Sequence, residues 1–288
     1  MSGRPIARRS RTPLPGRRTR PVRRASAGLS AVRAGAALAM LVSAAAIYGV
    51  GASSAFAYTK LQLDGLRFTD PATVEAALAG ARAANLFQLS TGPLRATLEG
   101  LPTVASARLD VRLPGTLAVT IEERRPVLVW QVGTQGYMAD ADGLLFATLP
   151  DKPPTGTHVL PVVDDRRAQS AGLTVGGRLD PLDLDAATRL ASLMPADVGS
   201  SAVSLVVLVT DENGFVVTAG PGGWSAVFGF YTPSLRTTEL IPGQVRLLRS
   251  LLIGREQLVE RIVLASATDG TYVPLATPSA TPKPSKAP

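Results

Sequence analysis

The chain has 288 residues, with 30 Lys and Arg against 22 Asp and Glu, one His and no Cys, for a formal charge of +8. The absent cysteines exclude a disulfide framework, a thiolate metal site and a thiol nucleophile, and a single histidine excludes a multi-histidine metal site. Aromatics, at 5%, are too few for a base-stacking platform along single-stranded nucleic acid.

The charge is not spread evenly. Residues 1–33 hold ten Arg (Arg4, Arg8, Arg9, Arg11, Arg17, Arg18, Arg20, Arg23, Arg24 and Arg33) and no acid, which leaves 20 bases against 22 acids in the rest. This arm is rich in Arg, Pro and Ser, lacks apolar periodicity, and is expected to be disordered. It can rest on anionic lipid or, lacking a base-reading fold beside it, serve mainly as an orientation signal.

From Ala34 to Thr59 the chain runs 26 residues without a charge. As a helix that run would be about 39 Å long, enough to cross a hydrocarbon core of about 30 Å with some tilt. Tyr58 lies where an interfacial aromatic would sit. A cleavable signal peptide competes, because Ala55-Phe56-Ala57 has the A-x-A form, but the apolar stretch is long for one. A retained single-pass helix fits best. The positive-inside rule then places the Arg arm in the cytoplasm and the rest outside.

Residues 60–126 read as a β-α-α-β-β unit. Leu61, Leu63 and Leu66 lie in and after a short strand that ends at Asp64-Gly65. Asp70-Pro71 starts a helix to about Ala79, with Asp as cap and Pro in the first turn. A second helix covers about Pro93–Glu99. Next, Ala105, Ala107, Leu109, Val111 and Leu113 alternate with Ser106, Arg108, Asp110 and Arg112, a period of two that puts one face on a core. Leu117, Val119 and Ile121 return as the partner strand.

Residues 127–275 read as a strand-rich unit with helices. Val127–Trp130 is an apolar strand and Asp142-Gly143 a hairpin turn. Asp185 can cap a helix to about Leu193. Val203–Thr210 is a β-branched strand, and Asn213-Gly214 suits a type I′ turn into Phe215–Thr218. A helix over about Pro242–Leu252 precedes a last strand, Glu260–Ala267. Residues 276–288 are rich in Thr, Pro, Ser and Lys and read as a disordered tail. The expected class is therefore α+β: tail, one membrane helix, a small α+β unit, then a β-domain.

No P-loop, G-x-G-x-x-G, G-x-S-x-G or H-E-x-x-H occurs. His158, with Asp164 or Asp165 nearby, is better read as a packed or solvated histidine than as a general base. Gly220-Pro221-Gly222-Gly223 reads as a turn before Trp224, and Asp140 and Asp142 beside Gly143 as turn formers. No cofactor, metal or small-molecule substrate is implied. A membrane-anchored or secreted cell-wall enzyme is the alternative reading.

Gly65, Asn85-Leu86-Phe87, Leu101-Pro102-x-Val104, Arg112-Leu113-Pro114-x-Thr116-Leu117 and Glu122-Glu123-Arg124-Arg125-Pro126 together resemble the POTRA domain of the FtsQ/DivIB cell-division family. Met138–Phe146 resembles that family's D-x-x-G-x-x-F hairpin. Gly222-Gly223-Trp224 with Phe228-Gly229 resembles its late strand. Leu113 departs from the aromatic usual before the strand-turn proline. The resemblance implies a non-enzymatic divisome scaffold at the septum. It would regulate septal peptidoglycan synthesis through FtsB- and FtsL-like partners, joined by β-augmentation. It also implies a partner-binding edge at the last strand: Arg261, Ile262, Val263, Leu264, Ala265 and Ser266, then Asp269, Gly270 and Tyr272, with Tyr272 as an aromatic anchor. Arg108 and Arg112, on a face expected to be solvated, are a possible second contact.

Overall fold

The computed structural model describes residues 30–150, 160–220 and 222–275. Most of the Arg arm, His158, Pro221 and the tail from 276 lie outside the described residues. The apolar helix and the chain from Ser53 onward form two separate units.

The first unit's described part is α1, Ala31–Ala52, with one charged residue, Arg33. Its 22 residues make about 33 Å of helix, which matches a hydrocarbon core of about 30 Å. It is long and apolar enough to cross a membrane. The expected span to Thr59 is too long. The helix stops at Ala52 because Ser53 turns extended, and its hydroxyl accepts from Ala55 N at 3.1 Å. Tyr58, expected at the membrane interface, is instead buried in the core of the next unit.

The second unit begins with the expected β-α-α-β-β order: β1 (Lys60–Asp64), α2 (Pro71–Ala77), α3 (Thr91–Glu99), β2 (Val104–Arg112) and β3 (Thr116–Glu123). These strands form a sheet in the order β1-β3-β2, with β3 parallel to β1 and antiparallel to β2. Asp70 caps α2 as expected, accepting from Ala72 N at 3.2 Å with Pro71 in the first turn. Val74, Leu98 and Leu117 are fully buried against the sheet, and each such side chain contributes roughly 1.5–3 kcal/mol. Gly65 has φ +89°, and a Cβ there would lie 2.0 Å from the Ile121 carbonyl, so only glycine fits.

The expected alternation in β2 holds only at Ala107 and Leu109 and fails before and after them. The register shifts between Val104 and Ser106, so Val104 is buried and Ala105 exposed. Val111 and Leu113, expected inward, lie outside the core cluster and stay open.

The rest of the chain builds a nine-stranded mixed sheet. Its strands are β4 (Leu128–Val132), β5 (Gln135–Ala139), β6 (Leu145–Thr148), β7 (Val162–Asp165), β8 (Leu205–Thr210), β9 (Gly214–Ala219), β10 (Ser225–Gly229), β11 (Val259–Leu264) and β12 (Gly270–Pro274). The order is β12-β11-β10-β9-β8-β7-β4-β5-β6. Helices α4 (Pro181–Ala191) and α5 (Ile241–Leu252) share its core, where Trp130, Phe215, Phe228, Leu190, Leu248 and Leu252 are buried.

Two local expectations are corrected here. Helix α4 starts at Pro181, not Asp185, because Asp180 accepts from Leu182 N at 2.8 Å and Pro181 occupies the first turn. Asn213 does not take positive φ, whereas Gly214 does, at +63°, and Thr210 pairs with Gly214. The loop therefore has three residues rather than a two-residue type I′ turn.

The two sheets meet within the second unit. Arg124, at the end of β3, bonds Pro102 O at 3.0 Å through Nε and Asp140 at 2.8 Å through Nη1. Asp140 Oδ1 also accepts from Asp142 N and Leu144 N, the expected turn role. Phe68 meets Phe146 edge-on at 5.8 Å.

Candidate partner-binding edge

The two sheets end in four strand edges: β1 and β2 in the small sheet, β12 and β6 in the large one. A bare edge offers unpaired N–H and C=O groups, so proteins cover edges they do not use. Three of the four edges carry local contacts: a turn beside the entry to β1, one side chain on β2 and a crossing segment at β6. The entry to β1 is tied to a turn, with Tyr58 N donating to Ala84 O and Ala83 N to Tyr58 O. On β2, the Glu99 carboxylate from α3 reaches Ala107 N–H at 3.4 Å. At β6, Leu145 exchanges bonds with the crossing segment, Gly176 N donating to its carbonyl and its own N–H to Gly177 O.

The fourth edge, β12, has one strand neighbour, β11, and no described segment on its outer side. Every residue of β12 is exposed. The phase of the ladder can be read. Ala265 N donates to Asp269 O at 2.9 Å. Antiparallel pairs alternate between bonded and non-bonded. In this register Val263 with Thr271 and Arg261 with Val273 are therefore the bonded pairs. The N–H and C=O of Tyr272, and those of Gly270, consequently face away from the sheet. The Tyr272 ring is half-exposed and lines a cleft of about 330 Å³ with Leu251, Arg255, Leu258, Pro274 and Leu275.

This corrects the sequence reading of the site. Residues Arg261, Ile262, Val263 and Leu264 lie in β11, which pairs with β10 on one side and β12 on the other. They are not the edge. Ala265, Ser266 and Asp269 form the connecting turn, where Ser266 Oγ meets Asp269 Oδ2 at 3.0 Å. Gly270 and Tyr272 do belong to the edge strand. The missed signal was Asp269-Gly270, a turn pair that begins another short strand.

Next to the base of β11 lies a polar knot. The Glu256 carboxylate accepts from both Ser200 and Ser201 hydroxyls, from Ser201 N at 2.9 Å and from Trp224 Nε1 at 2.9 Å. Burial alone would raise its pKa, but these donors outweigh burial and bring it down to about 2. A second knot lies in the large core. Asp165 accepts from Trp130 Nε1, Arg167 and Ser170, and Arg167 also pairs with Asp183 at 2.7 Å. Burial opposes ionisation of Asp165, yet the bonds from Arg167 and Ser170 prevail and hold its pKa low. Asp164 pairs with Arg166. Both aspartates thus serve as structural partners. Among the described residues no acid or histidine cluster could hold a metal.

Arg108 and Arg112 are exposed on β2, as expected. Arg108 lines a cleft of about 670 Å³ between α3 and β2, with Arg95, Glu99, Asp110 and Glu122. Arg112 donates to Gln62 at 3.0 Å. In this cleft Glu99 also faces Arg95 at 3.8 Å, and Glu122 accepts from Ser106 at 3.2 Å.

Residues 56–124, which include the small sheet, match the sequence profile of the POTRA domain, FtsQ-type. The chain is 30% identical over 190 residues to the cell division protein FtsQ of Mycobacteroides abscessus, covering 62% of this chain and 57% of that protein. It is 26% identical over 250 residues to FtsQ of Chloroflexus aurantiacus, covering 86% and 81%. It is 30% identical over 174 residues to FtsQ of Chloroflexus aggregans, covering 60% and 61%.

Proposed function

We propose that this chain, a relative of the FtsQ cell-division proteins with an FtsQ-type POTRA domain, is a single-pass divisome scaffold that works by protein–protein contact rather than catalysis. It is a cell-division protein held by α1, with the POTRA sheet and the large sheet outside the membrane. The basic arm lies on the cytoplasmic side. The partners are FtsB- and FtsL-like bitopic proteins, and the assembly gathers at the septum and regulates peptidoglycan synthesis there.

The observation that carries this reading is the β12 edge, which no described segment covers. An incoming strand would pair with the outward N–H and C=O of Gly270 and Tyr272. Main-chain bonds would supply affinity, and the Tyr272 cleft would supply specificity. A second contact at Arg108 and Arg112 on the POTRA sheet fits the open cleft beside Arg108.

Two measurements test the proposal. A fluorescent fusion of the full chain should concentrate at mid-cell; a uniform envelope signal would overturn the septal role. Tyr272→Pro should remove one outward donor while leaving the bonded pairs of β12 with β11 in place. It should abolish binding of an FtsB-like extracytoplasmic segment, and undiminished binding would sink the edge reading.

A further inference from the structure

We infer that Arg236 is the positioning residue of the β12 edge, a register pin that decides which backbone groups that edge presents. The inference rests on the β12 reading above and names how that site is held.

The edge reaches the rest of the sheet through a short ladder. Strand β12 pairs with β11 alone, and β11 joins the rest of the sheet through three parallel pairs to β10: Ser225 with Arg261, Ala226 with Ile262, and Val227 with Val263. Where that short ladder ends, a clamp begins. Arg236 Nη2 donates to Phe228 O of β10 and, at 2.7 Å, to Leu264 O of β11. Its Nη1 donates to Ala265 O, the first residue of the β11–β12 turn. Gln244 of α5, fully buried, donates to the same Phe228 and Leu264 carbonyls at 3.2 and 3.1 Å. Tyr231 OH holds the other end of Gln244 at 2.9 Å.

The surroundings position the two terminal nitrogens of this guanidinium, while its buried Nε has no hydrogen-bond partner. Thr232 Oγ1 accepts from Leu235 N and Arg236 N, and Thr232 N donates to Arg236 O, which closes the loop that presents the side chain. Gly229 has φ +85°, and a Cβ there would lie 3.1 Å from Arg236 Nη2. Among the described residues Arg236 pairs with no carboxylate. Its fork is directed at strand carbonyls instead, a geometry that a lysine's point charge cannot copy.

Parity gives the clamp its consequence. The carbonyl of Leu264 faces β10, so the groups of Val263 and the N–H of Ala265 face β12, and Tyr272 faces outward. A slip of β11 by one residue would reverse each of these assignments. It would also carry the Tyr272 ring off the face that holds Leu251 and Leu258. The three ladder pairs and the buried Val259, Ile262 and Leu264 resist such a slip, and the clamp at the strand end adds a polar lock on the same phase.

The test uses the full chain in lipid nanodiscs with an immobilised FtsB-like extracytoplasmic segment as probe. Arg236→Met should weaken binding about tenfold. Amide exchange in β11 and β12 should accelerate, while exchange in the POTRA sheet stays unchanged. Arg236→Lys should fall between Arg236→Met and the native chain. The chain lacks cysteine, so Val227→Cys with Val263→Cys, partners in the native register, can cross-link β10 to β11 in place of the clamp. Oxidation of that pair in the Arg236→Met background should restore binding, which a general loss of stability would not allow. Native affinity in Arg236→Met, or no recovery on oxidation, overturns the inference. The Tyr272→Pro variant separates the two readings: intact binding there overturns the edge itself, whatever Arg236 does to exchange.

Discussion

The two sheets treat their edges in opposite ways. In the POTRA sheet the entry to β1 is tied down by the Ala83–Asn85 turn, and β2 carries the Glu99 carboxylate. In the large sheet one end is crossed by Gly176 and Gly177, while the other, β12, has no described segment on its outer side. The β12 edge joins the rest of its sheet through three parallel β10–β11 pairs, as many as link β7 to β8, and the Arg236 clamp. Exposure and a short ladder coincide where a partner strand would add, so partner binding would complete the sheet that presents it.

The widest separation between the two regions comes from their cores. Leu98→Ala should cost about 2–5 kcal/mol and loosen the POTRA sheet alone, while Trp130→Ala should cost about 3–5 kcal/mol and loosen the large sheet alone. Site-resolved amide exchange under denaturant reads both. If either substitution loosened both sheets equally, the two clusters would be one cooperative core.

Tyr272→Pro should change global stability by less than about 0.5 kcal/mol, as surface changes usually do, and still remove partner binding. A melting curve beside a binding isotherm shows whether stability and recognition part company at this edge.

The contact between the sheets gives a stability effect smaller than those of the two cores. Arg124→Ala would leave the buried Asp140 carboxylate without its cation, at a cost of about 1–3 kcal/mol, and should quicken exchange in the turn at Asp142–Leu144. Unchanged exchange there would mean that Phe68 and Phe146 hold the contact without Arg124.

The pH response should belong to the large sheet. The pKa of Glu256 drops from an ordinary 4.5 to about 2 on folding. Its contribution is therefore complete above 4.5 and is lost as pH falls from there toward 2. Glu256→Gln should flatten the fall of the large sheet's unfolding midpoint across that window. An identical slope in the variant would assign the acid sensitivity to other carboxylates. The smallest stability change is expected from Arg108→Glu with Arg112→Glu, within about 0.5 kcal/mol, and mid-cell recruitment is its informative readout.

The POTRA sheet was the more legible of the two. Asp70-Pro71 marked a cap, Ala107 and Leu109 marked a face, and Gly65 marked a turn, because each depends on a near neighbour in sequence. The errors arose where distant segments intervene. Tyr58 read as a membrane aromatic because nothing in its neighbours shows that it packs beside Leu98 and Leu117. The large sheet suffered more. Its strand order interleaves parallel and antiparallel pairs, and β10 meets β11 across the whole of α5.

By itself, the sequence determined the charge asymmetry, the one apolar span, the α+β class and most elements. These follow from composition and from periods of two or 3.6 residues, which are local properties. Only the tertiary structure decided which strand lies at the edge, which way its backbone faces, and that Arg236 and Gln244 meet on two strand ends. An edge is defined by the absence of a neighbour in space, and a hydrogen-bond phase by a partner strand. Neither is written into the residues of the strand itself.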